Sequence, residues 1–149
     1  EVAAWAARLR ERGLRLAFTN GCFDLLHAGH LWSLAEAARH ADALLVAVNS
    51  DGSVRRLKGE GRPLVPEAAR AALLAALRPV SAVTIFAEPT PLQVILDARP
   101  DVLVKGSEYA ESDIVGAREI AAWGGQVLRV PMRAGWSTSS IIESIKGSR

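Results

Sequence analysis

Two imidazoles three positions apart, in His27-Ala28-Gly29-His30, are the residues of this chain best suited to chemistry. Each ring can donate a hydrogen bond to an anionic oxygen or coordinate a metal. A metal pair would need a nearby third ligand, and His at this spacing alone is weak support for one. A plainer alternative is two ordinary histidines at a helix start, one of them packed in the core. Their frame favours the anion. The apolar run Leu16-Ala17-Phe18, suited to a buried strand, passes through Thr19-Asn20-Gly21, where Gly21 would permit a tight turn, and a helical segment follows from Leu31. Strand followed by helix start places both rings beside unpaired N–H groups and a positive dipole end, a ready phosphate site. There they could stabilise negative charge as it shifts during reaction.

Other residues of matching chemistry follow. Residues 51–66 read as a long polar loop carrying Arg55, Arg56, Lys58 and Arg62, with Gly59 and Gly61 interleaved. Long loops of this kind are often functional, and this one suggests a flap closing over an anion through Lys58. Arg70 in the next helix could be a further anion ligand. Ser137-Thr138-Ser139, just after Gly135, offers hydroxyls and free N–H groups at another helix start, serving as cap and phosphate cradle together. Lys105-Gly106 at a strand end is either a snorkelling lysine or a ligand contact, and the contact is favoured. Cys22, the single cysteine, reads as a small packed residue; His40, Trp5, Trp32 and Trp123 read as packing or surface.

The elements that must position these groups alternate. A leading helix over residues 1–12 ends at Gly13. Strands are expected at about Leu14–Phe18, Ala43–Asn49, Ala82–Phe86, Asp101–Gly106 and Gln126–Val130. Between and after them come helices at about His27–His40, Glu67–Leu77, Thr90–Ala98, Asp113–Trp123 and Ile141–Ile145. Short apolar strands alternating with helices predict a parallel sheet covered on both faces, with ligands at the carboxyl ends of the strands. Thr19-Asn20, Asn49-Ser50, Glu88 and Lys105-Gly106 all follow strands and should share that rim.

The 149 residues are expected to form one domain over 1–149, with its core at about 14–145. A formal charge of +2 gives no argument for nucleic acid, and one cysteine gives no disulfide framework or Cys-based zinc site. No signal peptide or apolar stretch of membrane-spanning length is visible, so a cytoplasmic enzyme with no membrane partner is expected. Starting at Glu1 rather than Met, the chain is expected to be trimmed or a piece of something longer. No G-x-G-x-x-G follows the first strand and no Walker-type loop is present, against a dinucleotide oxidoreductase.

The run T-N-G-C-F-D-L-L-H-A-G-H (Thr19–His30) resembles the cytidylyltransferase-like nucleotidyltransferases, the H-x-G-H type of doubly wound, Rossmann-like domain with a five-stranded parallel sheet. S-V-R-R-L-K-G-E-G-R-P (Ser53–Pro63), R-P-D-V-L-V-K-G (Arg99–Gly106) and G-W-S-T-S-S-I-I (Gly135–Ile142) narrow the resemblance to the bacterial heptose 1-phosphate adenylyltransferases. It spans nearly the whole chain, from Leu14 to Ile145. There are departures: Ser107-Glu108-Tyr109 stands where Gly-Asp-Tyr is common, Arg133-Ala134 where an acidic pair is usual, and Trp136 where a small residue is usual. They bear on nucleotide and sugar identity rather than on reaction type.

The resemblance implies transfer of AMP from ATP to D-glycero-β-D-manno-heptose 1-phosphate, giving ADP-heptose and pyrophosphate for lipopolysaccharide core or other heptose glycans. It implies His27, His30 and Lys58 as catalytic residues, and Lys58, Arg62 and Arg70 toward the substrate phosphate. Thr19, Asn20, Gly21, Cys22 and Phe23 would contact the nucleotide. So would Lys105, Gly106 and Glu108 near the base, and Ser137, Thr138 and Ser139 at the triphosphate end. Mg²⁺ would be held mainly by the nucleotide phosphates and water, with no protein metal site. A homodimer and a functional link to a separate heptose 7-phosphate kinase are implied as well. Because the substrate phosphate is already an anionic nucleophile, no general base is needed, and the lack of a Ser-His-Asp set or paired carboxylates fits. The alternatives are a cytidylyltransferase acting on glycerol 3-phosphate or a similar small phosphate, and a non-catalytic nucleotide-binding module.

Overall fold

The computed structural model describes residues 1–131 and 133–147. Its elements are α1 (Val2–Glu11), β1 (Leu16–Gly21), α2 (Ala28–Ala38), β2 (Ala43–Asn49), α3 (Asp51–Lys58), α4 (Glu67–Ala75) and β3 (Ala82–Phe86), and then α5 (Leu92–Ala98), β4 (Val102–Gly106), α6 (Ala117–Ala122), β5 (Gln126–Val130) and α7 (Thr138–Gly147). The strands form one parallel sheet in the order β3-β2-β1-β4-β5.

Period-two alternation splits the strand side chains between two cores. Leu16 and Phe18 of β1 with Leu45 and Ala47 of β2 pack under α1, α5 and α6, through Leu9, Ile95 and Ile120. Ala17, Leu44, Val46 and Val48 face the other way, against Leu34 of α2 and Leu74 of α4. Every residue of β2 is buried, as a strand covered on both faces requires. From β1 the chain winds outward to β2 and β3, then returns to β4 on the other side. The strand order therefore reverses between β1 and β4, and a crevice opens outside their carboxyl ends. Among the described residues no helix is long and apolar enough to cross a membrane.

Three local expectations change. Residues 51–58 are helical rather than part of a loop. The Ser50 hydroxyl accepts the Ser53 N–H at 3.2 Å, Asp51 lies in the first turn, and Arg55, Arg56 and Lys58 lie in the last. Cap and dipole chemistry thus build a helix whose sequence is too polar to announce one. Thr19, Asn20 and Gly21 belong to β1 and not to a turn. The chain turns instead at Phe23, whose φ of 51° is left-handed. The expected helix over 113–123 is a short 3₁₀ turn (Glu111–Asp113) followed by α6, interrupted at Gly116. There φ is 90°, and a Cβ would lie 2.8 Å from Ile95 Cδ1, so glycine meets both the backbone and the packing demand.

Candidate active site

The His27-Ala28-Gly29-His30 segment sits where β1 hands over to α2, with His27 as the N-cap residue and His30 in the first turn. The two imidazoles stack with centroids 3.9 Å apart, and Phe23 tilts onto His30 at 5.4 Å. Gly29 makes this arrangement possible, because a Cβ there would lie 2.8 Å from both His27 Cε1 and Trp136 Cβ. The His27 N–H donates to His30 Nδ1 at 3.3 Å, which assigns the His30 proton to Nε2. His27 Nδ1 is buried without a partner. An N–H orphaned there would cost more than a lone pair, so its proton is also assigned to Nε2. Burial pushes the His30 ring down to about 4, with the neighbouring His27 adding to it, and burial lowers His27 as well. Both rings are therefore neutral donors near pH 7.

They open on a cavity of about 620 Å³ at the rim of the sheet. Of the residues anticipated from sequence, Thr19, Asn20, Gly21, Cys22 and Phe23 line it beside the histidines, as do Lys105, Gly106 and Glu108. Lys58, Arg62, Ser137, Thr138 and Ser139 complete the set. Asn49 reaches the rim, while Glu88 is not among the lining residues.

Each wall has its own support. Thr19 Oγ1 donates to the Val104 carbonyl at 3.1 Å, joining β1 to β4. Lys105 Nζ donates to Asn20 Oδ1 at 2.6 Å. Burial brings Lys105 down to about 8, opposed by the Glu108 carboxylate. The Ser137 hydroxyl accepts the Ser140 N–H at 3.0 Å, so this serine does cap α7 while facing the cavity. Lys58 ends α3 and is exposed, so it reaches the cavity from a helix terminus rather than from a loop.

Arg70 corrects the sequence expectation. Its side chain is wholly buried and does not line the cavity. Nε donates to the Val65 carbonyl at 2.8 Å, Nη1 to Cys22 and Asn49 carbonyls at 2.6 and 2.8 Å, and Nη2 to Asp51 at 2.8 Å. A guanidinium so occupied is a brace and not a phosphate ligand. Arg62 is partly committed too, its Nε lying 2.6 Å from the Asp24 carboxylate.

Asp24 was missed in the sequence, although a carboxylate inside Phe23-Asp24-Leu25 could have signalled a buried acceptor. It also takes the Leu64 and Val65 N–H groups, the shortest contacts being 2.8 and 2.9 Å. Burial pushes its pKa up, but these N–H bonds and Arg62 outweigh it and hold the carboxyl below the ordinary range. Also unforeseen is Trp32, which lies edge-on to Trp136 at 6.1 Å, with the Arg133 guanidinium 3.8 Å from its ring. Among the described residues no cluster of three His, Cys, Asp or Glu side chains could hold a metal.

Two neutral imidazoles, a helix start, a lysine and a hydroxyl-bearing cap facing one crevice can grip a polyphosphate along its length. Comparison with known proteins agrees with that chemistry. The bifunctional protein HldE of Acidiphilium cryptum (strain JF-5) is 52% identical over 147 residues, covering 98% of this chain and 30% of that protein. The bifunctional protein HldE of Koribacter versatilis (strain Ellin345) is 53% identical over 143 residues, covering 96% and 29%. The chain thus spans about three tenths of the length of the curated relatives it matches. The crystal structure of the lipopolysaccharide core biosynthesis protein from Thermoplasma volcanium GSS1 aligns with a TM-score of 0.70 at 26% identity, over 81% of this chain and 99% of that one. The cytidylyltransferase-like family model matches residues 18–144, from inside β1 into α7. On that match, which takes in the histidine pair, the cavity walls and the hydroxyl cradle, the chain belongs to the cytidylyltransferase-like family.

Proposed function

We propose that this domain transfers AMP from ATP to D-glycero-β-D-manno-heptose 1-phosphate, releasing pyrophosphate and forming ADP-heptose for lipopolysaccharide core or related heptose glycans. The observation that carries the reading is the stacked His27–His30 pair facing the same cavity as Lys58 and Ser137–Ser139. The HldE relatives and the lipopolysaccharide-core neighbour support the choice of sugar, together with the motif resemblance.

In the reaction a phosphate oxygen of the sugar phosphate attacks the α-phosphorus of ATP. The new P–O bond forms as the bond from the α-phosphorus to the bridging oxygen breaks, and the electron pair leaves with pyrophosphate. Nε2–H of His27 and of His30 would donate to oxygens on which charge accumulates. Ser137, Thr138 and the start of α7 would hold the departing end. Lys58 would balance the two approaching anions, with Arg62 beside it. Lys105, Asn20 and Glu108 would meet the nucleoside. Mg²⁺, bound to phosphate oxygens and water, would supply charge neutralisation.

A heptose 7-phosphate kinase would add the 1-phosphate, and hydrolysis of the 7-phosphate by a phosphatase would then give the heptose 1-phosphate substrate. The bifunctional name of the relatives, which extend well beyond the matched segment, supports a kinase joined in the same polypeptide there rather than a separate one. A homodimer and a cytoplasmic location go with this reading.

The deciding experiment measures pyrophosphate release with Mg²⁺, crossing ATP, CTP, GTP and UTP with heptose 1-phosphate and glycerol 3-phosphate. Turnover confined to ATP plus heptose phosphate, and abolished in His30→Ala, is expected. Turnover with CTP and glycerol 3-phosphate would replace the proposal with a cytidylyltransferase, and nucleotide binding with no turnover would make it a non-catalytic module.

A further inference from the structure

Trp136 is the least expected residue of the cavity wall. It is 42% exposed, belongs to neither core, and lies immediately before the Ser137–Ser139 cradle. Its ring is nearly parallel to that of His27, with centroids 5.9 Å apart and planes at 21°. Trp32 of α2 meets it edge-on, and Arg133 covers Trp32. The segment leading into α7 is thus held on α2 by aromatic and cation–π contacts rather than by core burial. The His27 side chain faces the His30 backbone N–H in a reciprocal capping arrangement, but Nδ1 makes no full hydrogen bond, so ring contacts share in fixing its angle. Those contacts are the His30 ring at 3.9 Å, the Trp136 ring at 5.9 Å and the close approach of Gly29.

We infer that Trp136 is a positioning residue: it sets the angle of the His27 imidazole and fixes its distance from the Ser137–Ser139 cradle, with Trp32 and Arg133 as its anchor. The two phosphate grips come from segments over a hundred residues apart in sequence, and no described hydrogen bond joins the imidazoles to the cradle. The Thr138 hydroxyl donates to the Leu25 carbonyl at 3.4 Å and so ties the two backbones, whereas the tryptophan is the contact that reaches the His27 ring itself. A smaller residue at 136 would leave His27 free to rotate away from a phosphate oxygen, and misplacement of about 1 Å costs on the order of a hundredfold in rate.

This inference rests on the nucleotidyl-transfer reading for its kinetic arm, so the test includes an arm that needs no turnover. The first arm records the His27 ring resonances by NMR in the ligand-free protein, for the wild type and for Trp136→Phe, Trp136→Leu and Trp136→Ala. The expected result in the Leu and Ala variants is exchange broadening of the His27 ring signals and weakened His27–His30 ring NOEs, beyond the shift that loss of the indole ring current alone produces, with Phe close to wild type. The second arm measures kcat and KM. In the Leu and Ala variants kcat is expected to fall roughly tenfold to a hundredfold with nucleotide KM little changed, and Phe to restore most of it. Arg133→Met, which frees Trp32, is expected to give a smaller loss in the same direction.

Sharp His27 signals with undiminished His27–His30 NOEs in a folded Trp136→Leu protein would overturn the inference. So would a rise in KM with kcat intact, which would make Trp136 a wall of the nucleotide pocket. If Ala fails to fold, the Leu and Phe pair carries the comparison. If the wild type turns over no nucleotide and sugar pair, the functional reading fails, while the NMR arm still judges the positioning role.

Discussion

The Cys22 carbonyl receives the Arg70 guanidinium at 2.6 Å, one residue before the left-handed Phe23. On the other side of Phe23 the Asp24 carboxylate is held by Arg62 and two backbone N–H groups. A non-glycine residue in this region costs on the order of 1–3 kcal/mol and persists only where its surroundings fix it. Here two buried ionic groups clamp the backbone either side of the strain, and the strained residue lays its ring on His30.

Replacing Arg70 with Met should therefore act on folding. It would strand three carbonyls and remove one of the partners of Asp51, whose carboxylate keeps the Glu67 N–H, and unmaking so many bonds to a buried guanidinium costs about 3–5 kcal/mol. Chemical denaturation should register that loss. A normally stable Arg70→Met protein with weakened phosphate binding alone would refute the bracing role.

Asp24 should show in the acid limb of stability. Its folded pKa is below the ordinary 3.8, so its contribution is full above that value and disappears as pH falls through the lower folded one. Asp24→Asn should be less stable by about 1–3 kcal/mol at neutral pH and show a shallower decline below about pH 4. Denaturant midpoints across pH 2.5–7, taken in roughly half-unit steps, would test both expectations. Parallel curves for the two proteins would exclude the assignment.

Lys58 is an exposed side chain at the end of α3, so its removal should spare stability to within about 0.5 kcal/mol. Catalysis should suffer. Loss of a charge aimed at a transferring phosphoryl group costs on the order of a hundredfold in kcat. Melting curves and pyrophosphate release on Lys58→Ala would separate the two, and unaltered turnover would leave Lys58 a surface residue.

Lys105 makes a pH prediction. Its pKa of about 8 means the ammonium is present near neutrality and lost as pH rises through that value, when the bound nucleotide would lose a charged hydrogen-bond donor. Nucleotide KM should climb roughly tenfold between about pH 7 and pH 9.5. In Lys105→Arg the charge persists, so the curve should stay flat. Identical profiles would remove Lys105 from nucleotide binding.

Gly29→Ala should damage the site more than the fold. The added Cβ strikes the His27 ring and Trp136 together, so one of them must move. kcat should fall by roughly tenfold or more while the melting transition shifts little. A variant with wild-type kcat would mean the rings can adjust without cost.

The sheet was legible because strands buried on both faces read as unbroken apolar runs, as Ala43–Val48 does. The histidine pair was legible because strand, turn and helix start follow one another in sequence. Arg70 was not, since its acceptors come from Cys22, Asn49, Asp51 and Val65, and only folding gathers those groups. α3 escaped notice because its helicity rests on Ser50 and its end charges instead of an apolar face. The stack from His27 to Arg133 was invisible for a related reason: aromatic pairing across distant segments leaves no periodicity to read.

The reversal of strand order at β1 and β4 separates what the domain must keep from what it can vary. The histidines follow the innermost strand at the start of α2, and that strand is locked between β2 and β4. Other walls come from the end of α3 and the segment after it, from the end of β4 and beyond, and from the segment between β5 and α7. Residues there can be exchanged to reshape the pocket while the two cores of the sheet stay as they are. Trp136 stands at the boundary between the histidine segment and those walls, so a change at that one position touches both.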